Sequence, residues 1–286
     1  MPRIFDCFPF FNELDLLQVR LETMDPVVDF FVIAESPVTY RGEPKPMHFL
    51  ENRDRFGKFL HKIRHVSVDD IPRQTGFHEN WERETHQRGA LERGLHDGRD
   101  DDIVMMSDLD EIPRPEKILQ AVRAGKGLRI FKMRFFAYFA NCEPHPGNWW
   151  WNGTGMSEYR LARGRFESIL RKLPTRLMPG PGYGLRKRIS IQLRIIFRCR
   201  LRGIPVTFIR EGGHHFSWLG GARAVLRKRG AISIHRGETF PDDYLTMNAA
   251  DKAVCHAASL ARLLDETMPP VLREPRFSNL LAPVHS

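Results

Sequence analysis

The sequence predicts an α/β fold in which a mostly parallel central sheet carries helices on both faces. Short apolar runs over Ile4–Phe8, Val27–Ala34 and Ile63–Val68 are typical of buried strands. Helical patterns lie between them, from Asn12 to Met24 and from Arg53 to Leu60. Strands that alternate with helices in this order favour parallel pairing through right-handed crossovers.

The alternation continues along the chain. A helical pattern over Trp81–Leu95 leads into a short apolar run at Ile103–Met106, which is the next predicted strand. A further helix is predicted over Glu116–Val122, because two glycines follow it closely. The aromatic-rich run Leu128–Ala140 is expected to complete the main sheet.

Acidic side chains cluster directly after the Ile103–Met106 run. They are Asp108, Asp110 and Glu111, and Pro113 ends the group. Ligands of open α/β sheets sit at the carboxyl ends of the strands. If this segment is extended, Asp108 and Asp110 face the same side and could hold one divalent cation. The alternative is a polar turn with helix caps, where aspartate is common.

Charge is distributed unevenly along the 286 residues, whose formal net charge is +9. The segment Arg160–Arg202, which we call the basic belt, holds thirteen Lys and Arg residues against one acid, Glu167. Such a belt indicates an anionic partner, for example a nucleotide diphosphate, a lipid phosphate, a membrane surface or nucleic acid. Within it, Arg186–Arg202 predicts a helix that either lies on a membrane surface or packs on the core through its apolar stripe.

Composition excludes several protein classes. Hydrophobic content of 42% and charged content of 28% are ordinary for a globular protein, and no apolar run is long enough to span a bilayer. The N-terminus lacks the apolar core of a secretory signal, which favours a cytoplasmic protein. The four cysteines include no C-x-x-C pair, so we expect free thiols instead of a zinc site or a disulfide framework.

Two later stretches are candidates for ligand contacts. Three adjacent tryptophans, Trp149–Trp151, could stack on sugar rings, or they could cap the core. A histidine pair, His214 and His215, follows a predicted strand at Val206–Ile209 and is flanked by glycine pairs that allow close backbone approach. One of these histidines could join Asp108 and Asp110 as a metal ligand, since carboxylate plus imidazole suits Mn²⁺ better than Ca²⁺.

Four segments in the same order resemble glycosyltransferase family 17. They are Asp6–Leu17, Asp29–Ser36, Ser107–Pro113 and Gly213–Trp218. The resemblance implies a GT-A-like, Rossmann-type fold, a nucleotide-sugar donor, expected to be UDP-GlcNAc, and Mn²⁺ or Mg²⁺ as cofactor. It also implies inversion at the anomeric carbon.

Roles follow from this resemblance together with the positions of the side chains. We predict Asp108, Asp110 and His215 as metal ligands, and Glu35, Arg41, Arg88 and Asp108 as contacts of the nucleotide. Glu211 is the first candidate for the catalytic base, with Glu143, Glu158 and Glu238 as rivals, and Glu111 is a further catalytic candidate.

The predicted organisation is a catalytic domain over residues 1–240, divided into a nucleotide-sugar-binding half (1–140) and an acceptor and metal-completing half (141–240). A helical tail is expected over 241–286, loosely ordered at its proline-rich end.

The acceptor is expected to be a glycan or a lipid-linked saccharide, with peripheral association at the inner face of the membrane as an option. Two alternative functions remain: binding of anionic lipid or RNA through the basic belt, and metal-dependent phosphate hydrolysis. No nucleic-acid motif is present, so a nucleic-acid partner is not expected.

Overall fold

The computed structural model describes residues 2–72, 79–143, 150–177, 185–220, 228 and 261–284. An eight-stranded sheet with the strand order β3-β2-β1-β4-β7-β6-β8-β5 forms its centre. The strands are Ile4–Pro9 (β1), Phe30–Glu35 (β2), Ile63–Ser67 (β3), Ile103–Met106 (β4), Glu111–Pro113 (β5), Leu128–Ala137 (β6), Trp150–Glu158 (β7) and Val206–Ser217 (β8).

Most strands of this sheet run in one direction. Strands β1 to β4 pair in parallel, as do β6 and β8, whereas β7 is antiparallel to β4 and β6, and β5 is antiparallel to β8. The predicted α/β fold with a mostly parallel central sheet is therefore confirmed.

Helices and helical turns cover the connections. The α-helices are Leu14–Met24 (α1), His48–Glu51 (α2), Glu79–Ala90 (α3), Pro115–Arg123 (α4), Tyr159–Ala162 (α5), Leu173–Arg176 (α6) and Leu185–Leu201 (α7). Within the described ranges, four segments are 3₁₀ turns, Arg53–Phe59, Leu91–Leu95, Pro270–Arg273 and Pro275–Leu280, and one, Ser168–Lys172, is a π turn. The helix predicted over Arg53–Leu60 is thus a 3₁₀ turn, and that predicted over Trp81–Leu95 changes to 3₁₀ after Ala90.

Three local predictions were wrong, each because tertiary pairing overrides local pattern. The run Leu128–Ala140 does not complete the main sheet as expected, because β7, which contains two glycines, pairs between β4 and β6. Strand β8 does not end at Ile209 but continues to Ser217, so the histidine pair lies within a strand. Residues 108–111 form a turn, closed by a hydrogen bond from the Glu111 amide to the Asp108 carbonyl at 3.1 Å, and not an extended segment.

Apolar side chains pack on both faces of the sheet. One cluster joins α1 to Phe8, Phe31 and Phe131, and the other packs the 3₁₀ turn Leu91–Leu95 against Phe5 and related side chains. Burial on both faces explains why β1, β2 and β4 read as nearly continuous apolar runs.

Both predicted halves of the catalytic domain contribute to this one sheet, because β7 and β8 from the second half pair with β4 and β6 from the first. The proline-rich end is not loosely ordered. Its 3₁₀ turns bury Val271, Leu272 and Phe277 in the cluster that contains α1. The first part of the helical tail expected over 241–286, residues 241–260, lies outside the described residues, and the domain boundaries stay a prediction.

The cysteines that the structure describes, Cys7, Cys142 and Cys199, are buried free thiols. Cys255 lies outside the described residues. Among the helices within the described ranges, none combines the length and the apolar character needed to cross a bilayer.

The start of β4 is held by a buried carboxylate, Asp102. It accepts hydrogen bonds from the backbone amides of Arg3 and Arg99, at 3.0 and 2.8 Å, and from the Arg3 guanidinium at 2.6 Å. Burial opposes the charged form, but these hydrogen bonds outweigh burial and hold the pKa of Asp102 below its ordinary 3.8.

We expect Asp102→Asn to lower the free energy of unfolding at neutral pH by about 2–4 kcal/mol, because Arg3 loses its buried partner. A depressed folded-state pKa gives stability above the unfolded-state pKa that is lost as pH falls. The difference in free energy of unfolding between wild type and variant, measured by urea unfolding, should therefore become smaller below about pH 4. Asp100→Asn, which removes an exposed partner of Arg163, should cost under about 1 kcal/mol. A difference that stays constant with pH would contradict this account.

Candidate active site

A buried arginine, Arg20 of α1, shapes the turn that carries the acidic cluster. Its Nη1 donates to the backbone carbonyls of Asp108, Leu109 and Glu111 at 2.9–3.0 Å, and its Nη2 donates to Ser107 Oγ at 2.6 Å. Three carbonyls that converge on one guanidinium cannot belong to an extended segment. This explains why residues 108–111 turn.

Arg20 is neutralised by Asp6, the one charged residue of strand β1. The guanidinium binds both carboxylate oxygens of Asp6, at 2.7 and 2.9 Å, and both side chains are fully buried. A bidentate pair with further hydrogen bonds satisfies charges that burial would otherwise penalise heavily. The pair therefore connects β1, α1 and the acidic turn.

The turn sends Asp108 towards two arginines from distant parts of the chain. Arg88 of α3 donates to Asp108 Oδ1 at 2.7 Å, and Arg171 of the π turn donates to Asp108 Oδ2. Burial raises the pKa of Asp108, but the charges of Arg171 and Arg88 outweigh burial and leave that pKa well below its ordinary value. Asp108 is thus ionised, and its carboxylate is occupied by guanidinium groups.

Arg171 reaches this position because the π turn lies directly on strand β7. A Cβ atom at Gly155 would lie 2.1 Å from the carbonyl oxygen of Leu170, so only glycine permits this approach. Arg171 also donates to both carboxylate oxygens of Glu111, at 2.9 and 2.8 Å. One residue of the basic belt therefore points into the acidic cluster.

Asp110 lies beside His215, with 3.5 Å between Oδ1 and Nε2. Lys228 donates to Asp110 Oδ2 at 2.8 Å and also lies 3.2 Å from Glu13 Oε1. Burial raises the pKa of Asp110, whereas the neighbouring Lys228 and His215 lower it, with a net shift below the ordinary value. The sequence separation of Asp110 and His215 exceeds one hundred residues, yet they share one site.

Pairing of β5 with β8 brings His215 to the acidic turn. Glu111 is in register with His215, and Pro113 is in register with Gly213. A Cβ atom at Gly213 would lie 2.3 Å from the carbonyl oxygen of Ile112, so the predicted close backbone approach occurs between these two strands. His214 points elsewhere, with Nε2 lying 3.4 Å from Thr267 Oγ1.

These groups line a cavity of about 670 Å³, a size typical of small-molecule sites. Its lining combines acidic, basic and aromatic side chains from α3, the acidic turn, β6, β7, the π turn and β8. Those with direct chemical interest are Glu13, Tyr40, Lys45, Glu84, Arg88, Asp108, Asp110, Trp151, Glu167, Arg171, Lys172, Arg176, His215 and Lys228.

Glu111 supports the cavity from behind and does not line it. It is fully buried and accepts hydrogen bonds from Trp151 Nε1 at 2.6 Å and from the backbone amide of Asp108 at 3.1 Å. Together with its ion pair to Arg171, these contacts connect an aromatic side chain of β7 with the acidic turn. Trp150 and Trp151 are half-buried, and Trp149 lies outside the described residues.

The other residues predicted to contact the nucleotide do not all line the cavity. Arg88 lines it, whereas Glu35 and Arg41 do not. Glu35 is fully buried, accepts from the amide of Phe49 at 3.0 Å and lies 3.7 Å from Lys45 Nζ, which does line the cavity.

The predicted bases also lie away from the cavity lining. Glu211 is exposed on β8 with a φ of 50°, and Glu143 and Glu158 pair with Arg134 and Arg129. Glu238 lies outside the described residues.

Sequence reasoning did not identify Arg20, Arg171, Lys228 and Glu13 as parts of this site. Asp6 could have indicated that a cationic side chain lies nearby, because a lone carboxylate inside a buried strand requires a cationic partner. Which cation supplies that charge depends on how α1 crosses the sheet, and the sequence holds forty-four Lys and Arg residues.

A family model described as glycosyltransferase family 17 matches residues 1–151, which is more than half of the chain. The chain belongs to glycosyltransferase family 17. The match includes Asp6, Arg20, Arg88 and the acidic turn, whereas Arg171, His215 and Lys228 lie beyond it.

Two curated family relatives are the rat and human proteins named beta-1,4-mannosyl-glycoprotein 4-beta-N-acetylglucosaminyltransferase. Each is 33% identical to this chain over 123 residues, which are 41% of this chain and 23% of the relative. The chain therefore matches less than a quarter of the length of these relatives.

Among solved structures, the inositol-1-phosphate CTP transferase from T. maritima aligns with 88% of this chain and 96% of its own. Its TM-score is 0.36 at 7% identity. The apo-form glycosyltransferase GlyE of Streptococcus pneumoniae TIGR4 aligns with 72% of this chain and 45% of its own, with a TM-score of 0.32 at 12% identity. Scores this low support no argument about the site of this family 17 chain.

We expect Arg20→Leu to lower the free energy of unfolding by about 3–5 kcal/mol, because Asp6 and three carbonyls lose their buried donor. The double variant Asp6→Asn/Arg20→Leu should recover part of this loss, since it leaves no buried charge. Urea unfolding followed by circular dichroism provides the measurement.

Arg55→Leu serves as the matched control. It removes an exposed arginine that pairs with Asp15 of α1, the helix that also carries Arg20. The variant should lower the free energy of unfolding by less than about 1 kcal/mol. Equal losses in Arg20→Leu and Arg55→Leu would refute the central role of Arg20.

Proposed function

We propose that this protein transfers N-acetylglucosamine from UDP-GlcNAc to a glycan or lipid-linked saccharide, with inversion at the anomeric carbon. The observation that carries the proposal is the shared cavity of Asp108, Asp110 and His215 in a family 17 chain. The names of the relatives support the donor sugar.

Divalent metal assistance is part of this proposal, and the donor set supports it in part. Asp110 and His215 offer a carboxylate and an imidazole 3.5 Å apart, and the buried Nδ1 of His215 has no hydrogen-bond partner among the described residues. This combination suits Mn²⁺ or Mg²⁺ bound with additional oxygen ligands from the diphosphate. When bound, the cation would stabilise the departing diphosphate.

Asp108 supports a metal less directly than Asp110 does. Within the described ranges, no group of three or more His, Cys, Asp and Glu side chains is arranged to hold a metal ion. The carboxylate of Asp108 faces Arg88 and Arg171 instead. We therefore assign Asp110 and His215 as the principal metal ligands and Asp108 as an anchor for the two arginines or as a ribose contact.

Cationic side chains of the cavity are suited to the diphosphate. Arg88 and Arg171 both line it, and a guanidinium can bind phosphate oxygens through two parallel hydrogen bonds. Glu35 would act on the nucleotide through Lys45, which lies between Glu35 and the cavity. A direct contact of Arg41 with uridine stays a prediction.

Glu13 is better placed than Glu211 to act as the catalytic base. Its carboxylate lines the cavity and shares Lys228 with Asp110, which brings a second carboxylate close to the same point. Glu84 and Glu167 also line the cavity, but they pair with Arg88 and Lys172 at 2.7 Å. Glu111 is a positioning residue in this proposal.

Family membership favours glycosyl transfer over the two alternatives, phosphate hydrolysis and RNA or lipid binding without catalysis.

We expect UDP-GlcNAc and Mn²⁺ together to raise the melting temperature more than either alone, because Asp110 and His215 would hold the cation and its charge would favour binding of the diphosphate. Asp110→Asn and His215→Gln should each remove the metal-dependent part of the shift, whereas the surface variant Asp100→Asn should retain it. Differential scanning fluorimetry measures both effects.

Failure of every UDP-sugar to protect the fold would refute the proposed function. An equal rise in melting temperature without metal would refute only the metal dependence. Arg88, Arg171 and Lys228 would then supply the positive charge that binds the diphosphate. Release of inorganic phosphate without UDP would favour the hydrolase alternative.

Glu13→Gln should reduce turnover of UDP-GlcNAc by about 10²–10⁴-fold while donor binding is retained, because the variant cannot accept a proton. Glu211→Gln is the matched comparison, and its turnover should remain near wild type. Detection of released UDP measures the rate. The reverse pattern would reinstate Glu211 as the base.

A further inference from the structure

Helix α7 presents a second apolar face to the surface of the protein. Ile189, Leu193, Phe197 and Leu201 are exposed, with 47%, 61%, 62% and 72% of their surface accessible. Residues four apart lie on neighbouring positions of one helix face, so these side chains form a continuous stripe. Half of the eight large hydrophobic side chains exposed within the described residues therefore belong to this one stripe.

The helix does not need this stripe to pack on the core. Its opposite face does so, with Cys199 buried and Ile195 and Ile196 packed against the cluster below. The sequence offered two places for the apolar stripe Ile189, Leu193, Ile196 and Phe197, a membrane surface or the core, and only Ile196 of these packs on the core. A stripe left outside after the helix has packed indicates an interaction surface.

Five arginines accompany the stripe, four of them along one of its sides. Arg186, Arg194, Arg198, Arg200 and Arg202 are exposed, and residues 185–202 contain no acidic side chain. Within the described part of the chain, none of these five arginines forms an ion pair. The stripe is therefore accompanied by positive charge that the described part of the protein leaves unbalanced.

We propose that the outer face of α7 binds the surface of a membrane that contains anionic lipids. Such a surface supplies both requirements at once, acyl chains for the apolar stripe and negative headgroups for the arginines. A second copy of this chain fits less well, because two arginine-rich faces would repel each other.

The surface is connected to the cavity. Gln192 of α7 donates to the carbonyl oxygen of Leu177 at 2.7 Å, directly after the segment from which Lys172, Thr175 and Arg176 line the cavity. Membrane binding would hold Lys172 and Arg176, which line this side of the cavity, near lipid headgroups. The choice of a lipid-linked acceptor rests on the proposed function, whereas binding of the helix to vesicles does not.

Co-sedimentation with vesicles tests the proposal. The full chain should bind vesicles of phosphatidylcholine mixed with phosphatidylglycerol, bind vesicles of pure phosphatidylcholine weakly, and lose affinity as salt is added. Because each surface arginine contributes about fivefold in affinity, Arg194→Glu/Arg198→Glu should weaken binding by about 25-fold or more. Leu193→Ser/Phe197→Ser should weaken it by at least about tenfold.

Two matched variants separate this surface from general effects. Arg123→Glu/Lys126→Glu reverses two exposed charges at the end of α4, and Leu119→Ser/Leu263→Ser removes two exposed leucines. Both should bind vesicles like wild type. All four variants should keep the melting temperature and the protection by UDP-GlcNAc, so failure of the surface is distinguishable from failure of the donor site.

Absence of binding to anionic vesicles would overturn the proposal, and so would equal losses in the α7 variants and their controls. Analytical ultracentrifugation without lipid provides a further check. A dimer that disappears in Leu193→Ser/Phe197→Ser would show that a second copy covers the stripe, which also overturns membrane binding.

Discussion

The fully buried ion pair between Arg20 and Asp6 is the constraint on which the site depends. Burial of a lone charge would cost several kcal/mol, so each partner requires the other. Arg20 has donors left after binding Asp6, and these bind the carbonyls of the acidic turn. The sheet, helix α1 and the turn are therefore positioned together, and a change at one alters the others.

A consequence of this geometry is that the acidic cluster is balanced by cations from remote segments. Arg88 comes from α3 and Arg171 from the π turn, while Lys228 and His215 accompany Asp110. The cavity thus contains carboxylates paired with cationic side chains. A nucleotide diphosphate could replace a carboxylate as the partner of an arginine, and a metal cation could replace a cationic side chain as the partner of a carboxylate. Close charge pairs of this kind keep the carboxylates ionised, as the lowered pKa values of the two aspartates indicate.

The basic belt divides into two parts with opposite orientation. Arg171 points inward, because Gly155 lets its turn lie directly on β7. Arg194 and Arg198 point outward beside an apolar stripe. One stretch of sequence therefore supplies both a cavity cation and a proposed membrane surface, and the Gln192 to Leu177 hydrogen bond connects them.

The sequence by itself determined the strand and helix alternation, the acidic cluster and the family, because these are local patterns of burial and composition. It did not determine strand β7, the different partners of Asp108 and Asp110, or the partner of Asp6. Those depend on contacts between residues far apart in the chain, such as Arg20 with Asp6 and Arg171 with Asp108. Local pattern records whether a side chain is buried, but only tertiary packing decides which of many similar charges lies beside it.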